Sequence, residues 1–283
     1  MAVEFENGDR GERAVLRSPW SETVYEQIRA RRCPELEINY AKGWSGKDVS
    51  FVVLLPWLRA LKIIDFKIDS VEAIHELHEL RALEVVTYCK TPMRFSSFPN
   101  LQECGLEWRP KSESLFDCAT LTGLFVNRYV GRNLVAFSRL RNLESLRILN
   151  APIETLDGIA ALRKLRAVRL ANLKKLRSLD GLQFLSALQE LEVHTCPRIG
   201  SIEEVSALMD LRKLHLNNDG KVESLKPLDA IHRLESVLFY ESTNIVDGDI
   251  SPITRQKNLV RVSFQNRRHY SHKREDFGAA YAS

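Results

Sequence analysis

The residues with the most obvious chemical potential are a glutamate, two histidines and a cysteine: Glu192, His194, Cys196 and His215. A Cys/His nucleophile needs the thiol within hydrogen-bond reach of the imidazole. If residues 191–193 form a strand, alternation points His194 outward, whereas Cys196 lies in the following turn and faces inward. The two side chains then diverge, so we predict neither a catalytic site nor an enzymatic activity.

The same residues form an incomplete metal-ligand set. His194 and His215 would lie on adjacent strands, but a zinc site needs at least one more protein ligand, and only Glu192 is near in register. The sequence contains neither a glycine-rich phosphate loop nor a Gly-x-Ser-x-Gly elbow. We therefore predict no metal and no cofactor.

These residues belong to a repeated pattern, Leu-x-x-Leu-x-Leu with apolar substitutions. Four units begin at Leu143, Leu165, Leu188 and Leu211, in steps of 22, 23 and 23 residues. Six more units begin at Leu61, Leu83, Leu101, Leu121, Leu234 and Leu259, and a degenerate one contains Leu36-x-Ile38. The steps of 18 residues after Leu83 and 20 after Leu101 are irregular, so we expect a bend or a distorted repeat there.

Each unit combines two periodicities. Its last three positions alternate apolar, variable, apolar, which is typical of a strand with one buried face. Apolar residues then recur every third position, as at Ile153, Leu156, Ile159 and Leu162, which favours 3₁₀ or extended segments over a long helix. The pattern predicts an α/β leucine-rich-repeat solenoid, with a curved parallel sheet on its concave face.

The turns Leu156-Asp157-Gly158 and Leu179-Asp180-Gly181 resemble the short repeats of internalin-like bacterial leucine-rich-repeat proteins. The resemblance covers about residues 58–267 and implies a bacterial binding protein. This chain departs from that family three residues after the last strand leucine, where the family usually has Asn or Cys. Only Cys196 matches, so we expect the buried backbone donors of the turns to find water or other backbone groups.

The flanks of the repeats predict the remaining domain organisation. We expect a flexible N-terminus over residues 1–17 and an N-terminal cap over residues 18–57. The cap would contain a helix over about residues 19–32, because Ser18-Pro19 resembles a helix start and Trp20, Val24 and Ile28 share one helical face. The solenoid would span residues 58–267, and residues 268–283 would form a C-terminal cap and a fraying tail.

Composition narrows the setting. The chain has 283 residues and a net charge of +4, with no apolar run long enough to span a membrane and no signal-peptide pattern at its start. Its five cysteines form no Cys-x-x-Cys pair, so we expect reduced thiols in a cytoplasmic protein. Seven basic residues fall in residues 163–177, but the repeat register spreads them over several faces, which disfavours nucleic-acid binding.

Alternation also places one set of side chains on the concave face. We predict a partner-binding patch made of aromatic, arginine and neighbouring polar residues: Trp108, Phe125, Arg128, Arg147, Arg169, Glu192, His194, His215 and Tyr240. Arg128, Arg147 and Arg169 would lie in adjacent repeats, so the patch would suit a protein with an acidic or mixed surface. In the alternative interpretation, Glu103, Glu107 or Glu144 pairs with these arginines and the aromatic rings pack on their neighbours.

The function predicted from these features is binding of a partner protein. One form of it is an immunity or inhibitor protein that neutralises a toxin, and a scaffold is another. The alternatives are an effector that acts on a host protein and, with less support, a nucleic-acid-binding protein.

The reduced state of the cysteines predicts a simple count. Titration of the unfolded protein with a thiol reagent should give five free thiols per chain, because the sequence contains five cysteines and no paired arrangement. A count of three or one would show that disulfides form and would contradict the prediction.

Overall fold

The structure is a computed structural model that describes residues 2–278. The chain divides into two compact units, Met1–Val126 and Asn127–Ser283. In each unit, short parallel strands alternate with 3₁₀ turns, and the inward leucines, isoleucines and valines form the core. This is the leucine-rich-repeat fold that the sequence predicts.

Unit 1 begins with a β-hairpin. Strands β1 (Val3–Gly8) and β2 (Gly11–Leu16) pair antiparallel, and β2 pairs parallel with β3 (Glu35–Asn39). The expectation of a flexible N-terminus over residues 1–17 is therefore wrong for the residues that the structure describes. Val3, Ala14 and Leu16 bury the inner face of the hairpin, and its backbone groups are bonded to a neighbouring strand.

The N-terminal helix starts later than predicted. It spans α1 (Glu22–Arg31) and is capped by Ser21, whose hydroxyl accepts from the Val24 amide. Val24 and Ile28 are buried as expected. Trp20 lies before the helix and stacks on Phe51 with ring centroids 3.9 Å apart, so it packs on the cap without being part of the helical stripe.

The remaining strands follow the repeat. Those of the first part of the chain are β4 (Ala60–Ile64), β5 (Ala82–Val86), β6 (Glu103–Glu107) and β7 (Gly123–Asn127). Those of unit 2 are β8 (Ser145–Leu149), β9 (Ala167–Ala171), β10 (Glu190–His194), β11 (Lys213–Asn217), β13 (Ser236–Tyr240) and β15 (Arg261–Phe264). Two short strands, β12 (Lys221–Val222) and β14 (Asn244–Ile245), pair separately, and α2 spans Ser251–Thr254.

The C-terminal segment packs on the last repeat. Tyr270 is buried, with its ring edge-on to Phe239 and Phe264, and Phe277 also contacts Phe264. The segment up to residue 278 thus covers the end of the stack. The predicted fraying of the tail concerns residues 279–283, which lie outside the described part of the chain.

Two repeats lie in a different register from the predicted one. Leu61 pairs with Leu83 and Leu83 with Cys104, so the first two full units begin at Leu58 and Leu80, three residues earlier than predicted. The irregular step of 18 residues then disappears, and with it the reason to expect a distortion there. Leu36 pairs with Leu61, which confirms the degenerate unit at Leu36-x-Ile38.

A left-handed residue follows the strand in each repeat of unit 2. Arg128, Asn150, Asn172, Thr195, Asn218 and Glu241 have φ between 55° and 60°. The Asn150 amide donates to the Ala171 carbonyl at 3.0 Å, and the Asn172 amide donates to the His194 carbonyl at 2.8 Å. Asparagine tolerates this conformation better than most residues, which explains its recurrence here.

The next residue of these turns points inward, and its side chain bonds buried backbone groups. Asp219 accepts from the Cys196 amide at 2.7 Å. The Thr243 hydroxyl accepts from the Asp219 amide at 3.0 Å and donates to the Leu216 carbonyl at 2.9 Å. The expectation that these donors turn to water or other backbone groups is wrong in this part of unit 2, because Asp and Thr oxygens take the place of the Asn or Cys of the family pattern.

Burial raises the pKa of the Asp219 carboxyl to about 7, against hydrogen bonds from backbone amides that lower it. The folded protein therefore retains a proton that the unfolded chain loses above about pH 4, and Asp219 costs stability as the pH rises towards 7. Asp219→Asn keeps the acceptor and removes the charge. We expect the free energy of unfolding, measured by chemical denaturation, to rise by at least about 1 kcal/mol at pH 8, with a smaller change at pH 4.

The control for this measurement is Asp9→Asn, because the Asp9 side chain is 84% exposed. It should change stability by less than about 0.5 kcal/mol at both pH values. A loss of stability in Asp219→Asn at pH 8 would show that the charge is stabilised where it lies.

Candidate functional site

Six of the nine predicted site residues lie on the outward face of the unit 2 sheet. The strands pair in register, so outward side chains form rows that cross the sheet. One row contains Arg147, Arg169, Glu192, His215, Leu238 and Ser263. The next row contains His194, Asn217 and Tyr240. Arg147 and Arg169 are directly paired, as the sequence predicts.

The other three predicted residues are placed differently. Arg128 occupies the left-handed turn position, equivalent to Asn150, so it belongs to the row of turn residues and not to the strand row of Arg147. Trp108 and Phe125 belong to unit 1, where both are half-buried and the Trp108 ring packs 5.8 Å from Phe116. The proposed stack of three arginines is therefore reduced to Arg147 and Arg169.

Glu192 is the centre of the polar cluster on this face. Its carboxylate lies 3.5 Å from the Arg169 guanidinium and 3.3 Å from His194 Nε2, and it forms an ion pair with Lys213. Burial alone would raise the pKa of Glu192, but the hydrogen bond and charge of Lys213, with Arg169 and His194, lower it. Glu192 is consequently charged at neutral pH and holds four neighbouring side chains around it, since His215 Nδ1 is also only 4.0 Å away.

The two histidines are neutral at pH 7. Burial lowers the pKa of His194, and it lowers that of His215 to about 4. His194 Nε2 faces the Glu192 carboxylate, and Nδ1 lies 3.3 Å from Asn217 Nδ2, which assigns the ring proton to Nε2. His215 Nε2 lies 2.9 Å from the Ser236 hydroxyl, so both rings are oriented by fixed partners.

Cys196 points into the core, as expected, and away from His194. Its thiol donates to the carbonyls of Leu170 and His194, and burial raises its pKa to about 12. Such a thiol is not a nucleophile at neutral pH. Among residues 2–278, no group of three histidine, cysteine or acidic side chains has the arrangement of a metal site.

A shallow cavity of about 250 Å³ opens beside the two arginines. Its walls are Arg147 and Arg169 on one side and Glu190 and Glu192 on the other. The small side chains of Ser145 and Ala167 leave the space between them. The arrangement offers two guanidinium donors and two carboxylate acceptors to a polar side chain of a partner.

The alternative prediction, that acids neutralise the arginines, holds for Arg169 but with a different acid. Its partner is Glu192, whereas Glu103 pairs with Arg10 and Glu144 lies 3.8 Å from Arg166. Lys213, the second cation on Glu192, was not among the predicted site residues. It precedes the first strand leucine, and the same alternation rule points that position outward as well.

Comparison with known proteins supports the fold. Residues 121–243 match the family described as the leucine-rich-repeat domain of the endo-beta-N-acetylglucosaminidase EndoS, a domain that forms part of an enzyme. No curated protein matches the sequence. No helix among the described residues is both long and apolar enough to cross a membrane.

Several solved structures share the architecture. The functional domain of InlJ from Listeria monocytogenes is 20% identical, with a TM-score of 0.61 over 88% of this chain. This chain spans 52% of that one. The internalin InlF from the same organism is 17% identical (TM-score 0.55; 90% of this chain, 87% of that one), and a leucine-rich-repeat protein from Leptospira interrogans is 15% identical (TM-score 0.54; 89% and 82%). The fold is thus of the leucine-rich-repeat type with internalin-like neighbours, and such folds generally mediate protein–protein interaction.

The burial of His215 predicts a pH dependence. Its folded pKa is about 4 and its unfolded value is near 6.5, so the unfolded chain gains a proton first and stability falls as the pH drops from about 6.5 to 4. His215→Gln keeps a group that can bond Ser236 but does not titrate. We expect the variant to lose about 1–2 kcal/mol less stability than the wild type between pH 7.5 and pH 5.

His232 is exposed and provides the matched control, since His232→Gln should leave the pH dependence unchanged. Chemical denaturation at the two pH values measures the effect, and imidazole NMR titration of His215 locates its pKa directly. A His215 resonance that titrates near pH 6.5 would contradict the assignment.

Proposed function

We propose that this protein binds a partner protein through the outward face of the unit 2 sheet. The observation that carries the proposal is the alignment of Arg147, Arg169, Glu192 and His215 in one row, with His194 and Tyr240 beside it. Side chains on paired strands are held at fixed spacing, and most of these are further oriented by hydrogen bonds or ion pairs. A surface ordered in advance loses little conformational entropy on binding.

The charges of this face suit a partner with an acidic or mixed surface. Arg169 is 51% exposed, and its contact with Glu192 is long, so water weakens that ion pair and a partner carboxylate can replace it at small cost. Arginine binds carboxylates through two parallel donors, and it is enriched among the residues that dominate protein interfaces. The fixed Glu190 and Glu192 add acceptors for basic groups at the margin of the same contact.

The form of this function that we favour is an immunity or inhibitor protein that acts in the bacterial cytoplasm by covering the active surface of a toxin. Such a role requires only a rigid binding face and no chemistry of its own, which agrees with the neutral histidines and the buried Cys196 thiol. An effector that binds a host protein would use the same face. The basic residues between 163 and 177 support nucleic-acid binding less well, because Arg163, Lys164 and Arg177 contact three different segments.

The test is affinity capture from native bacterial cytosol with the wild type and with Arg147→Glu/Arg169→Glu, followed by mass spectrometry. We expect one protein to be captured by the wild type, and its affinity for the double variant, measured with purified components, to fall at least tenfold. The reason is that two cations at the contact become two anions.

Lys174→Glu/Lys175→Glu is the matched control, because it makes the same charge change at two exposed residues of the turn after β9. This control should bind like the wild type, and circular dichroism should show that both variants fold. Equal capture by the wild type and Arg147→Glu/Arg169→Glu would place the binding surface elsewhere.

A further inference from the structure

Unit 1 carries a ridge of three exposed aromatic rings on successive repeats. Tyr40, Phe66 and Tyr88 are 53%, 39% and 58% exposed. Their rings contact one another, with centroids 5.7 Å apart between Tyr40 and Phe66 and 4.5 Å apart between Phe66 and Tyr88. All three follow the carboxyl ends of their strands, β3, β4 and β5, and we refer to them as the aromatic ridge.

The outward direction of these rings is built into the turns. In the repeats of β8 to β11, the first residue after the strand is left-handed and the second, such as Ala151 or Leu173, is buried. After β4 and β5 the order is reversed. Asp65 and Thr87, directly after the strands, are only 3% and 2% exposed, so the following Phe66 and Tyr88 turn to the surface.

Polar contacts hold this arrangement in place. The Asp65 carboxylate accepts from the Lys67 amide at 2.7 Å, and the Asp65 amide donates to the Val86 carbonyl at 3.2 Å. Asn39 caps the short 3₁₀ turn that starts at Tyr40, accepting from the Ala41 amide at 3.0 Å. The rings are therefore presented by ordered backbone and not by a frayed segment.

The exposed apolar surface is large enough to need an explanation. An aromatic side chain has roughly 150–250 Å² to bury, so three rings that are half exposed leave on the order of 300 Å² in water. Apolar patches of that size are among the largest on monomeric proteins and often mark binding sites.

A cavity of about 400 Å³ beside the ridge adds charge to this apolar surface. It is lined by Lys47, Phe66, Lys67, Ile68, Asp69, Tyr88 and Cys89. Lys47 and Lys67 are exposed, and no ion pair involving either is found in residues 2–278. Phe66, Ile68 and Tyr88 would surround an apolar side chain, and the two ammonium groups would attract a carboxylate next to it.

We propose that the aromatic ridge and its cavity bind an extended segment of a partner protein in which an aromatic or branched aliphatic residue adjoins an acidic residue. The apolar side chain packs against Phe66 and Tyr88, and the carboxylate pairs with Lys67 or Lys47. This site uses only residues of unit 1, so it is separate from the face around Glu192 and does not depend on the function proposed for that face.

Cys89 provides a built-in reporter for occupancy. Burial alone would raise the pKa of its thiol, but the Thr87 hydroxyl at 3.0 Å, the Thr91 backbone and the Arg109 guanidinium at 3.4 Å lower it. Burial raises the pKa of the other four thiols, Cys33, Cys104, Cys118 and Cys196. Iodoacetamide at pH 7.5 should therefore label Cys89 first, and a peptide in the cavity should shield it.

The experiment uses a phage-displayed library of random linear peptides, selected on the full-length wild type after removal of phage that bind Phe66→Ser/Tyr88→Ser. We expect an enriched sequence that joins an apolar residue to Asp or Glu. A synthetic peptide of that sequence should bind at least tenfold more weakly to Tyr88→Ser and to Lys67→Glu, and it should slow alkylation of Cys89 at least threefold.

Two controls separate a local effect from misfolding or from the other face. Phe184 is an aromatic residue of unit 2 with 48% exposure, and Phe184→Ser should bind the peptide like the wild type. Arg147→Glu/Arg169→Glu should also bind it unchanged, so the two proposals can fail separately. Lys67→Glu alters only an exposed side chain, so loss of binding in this variant does not require a change in the core.

Three results would overturn the proposal. One is selection without an apolar–acidic sequence, or with a basic one. Another is a selected peptide that binds Tyr88→Ser and Lys67→Glu as well as the wild type or leaves Cys89 alkylation unchanged. The third is a self-association seen by sedimentation that Tyr88→Ser abolishes, which would assign the ridge to a second copy of this chain.

Discussion

The constraint on which the structure depends is that no single repeat can bury its own apolar face. Each strand contributes two inward side chains, such as Leu146 and Ile148, and these are buried only because the adjacent repeats supply matching residues at the same height. Because strand side chains alternate, burial of these two positions forces Arg147 between them to face outward. The rows of outward residues in unit 2 are therefore a consequence of how the core is built.

The same constraint explains which parts of the fold the sequence predicts well. From Leu143 to Leu211 the apolar positions allow only one register, and the structure follows it. Around Leu58, Leu61 and Ile64, apolar residues three apart satisfy the pattern in two ways, and the pattern alone cannot distinguish them. Strand pairing distinguishes them because Leu61 must align with Leu36 on one side and Leu83 on the other.

The N-terminal hairpin shows why charged segments are easily misread. Half of its residues are charged or polar, which suggests a solvated tail when they are counted along the sequence. In space they lie on one face of β2 and β3, where Arg13 and the nearly buried Glu35 form an ion pair at 2.8 Å. For the candidate site, the strand residues were predictable by alternation, whereas the turn placement of Arg128 required knowledge of its left-handed φ of 59°. The partners of Glu192 also depend on side-chain conformations that a sequence pattern does not contain.

The interior and the outward face of unit 2 are linked through β10 and β11. Asp219, behind the sheet, bonds the Cys196 amide, and the Thr195 amide bonds the Asn217 carbonyl, so His194 and Asn217 are anchored close to the side chains they present. Two buried groups of this region titrate in opposite senses. Between about pH 4 and 6.5, a rise in pH removes the proton that stabilises Asp219 in the core but relieves the cost of keeping His215 neutral. These two contributions offset each other, so the stability of this region should depend on pH less than either residue alone would require, and the geometry around Glu192 is kept over the same range.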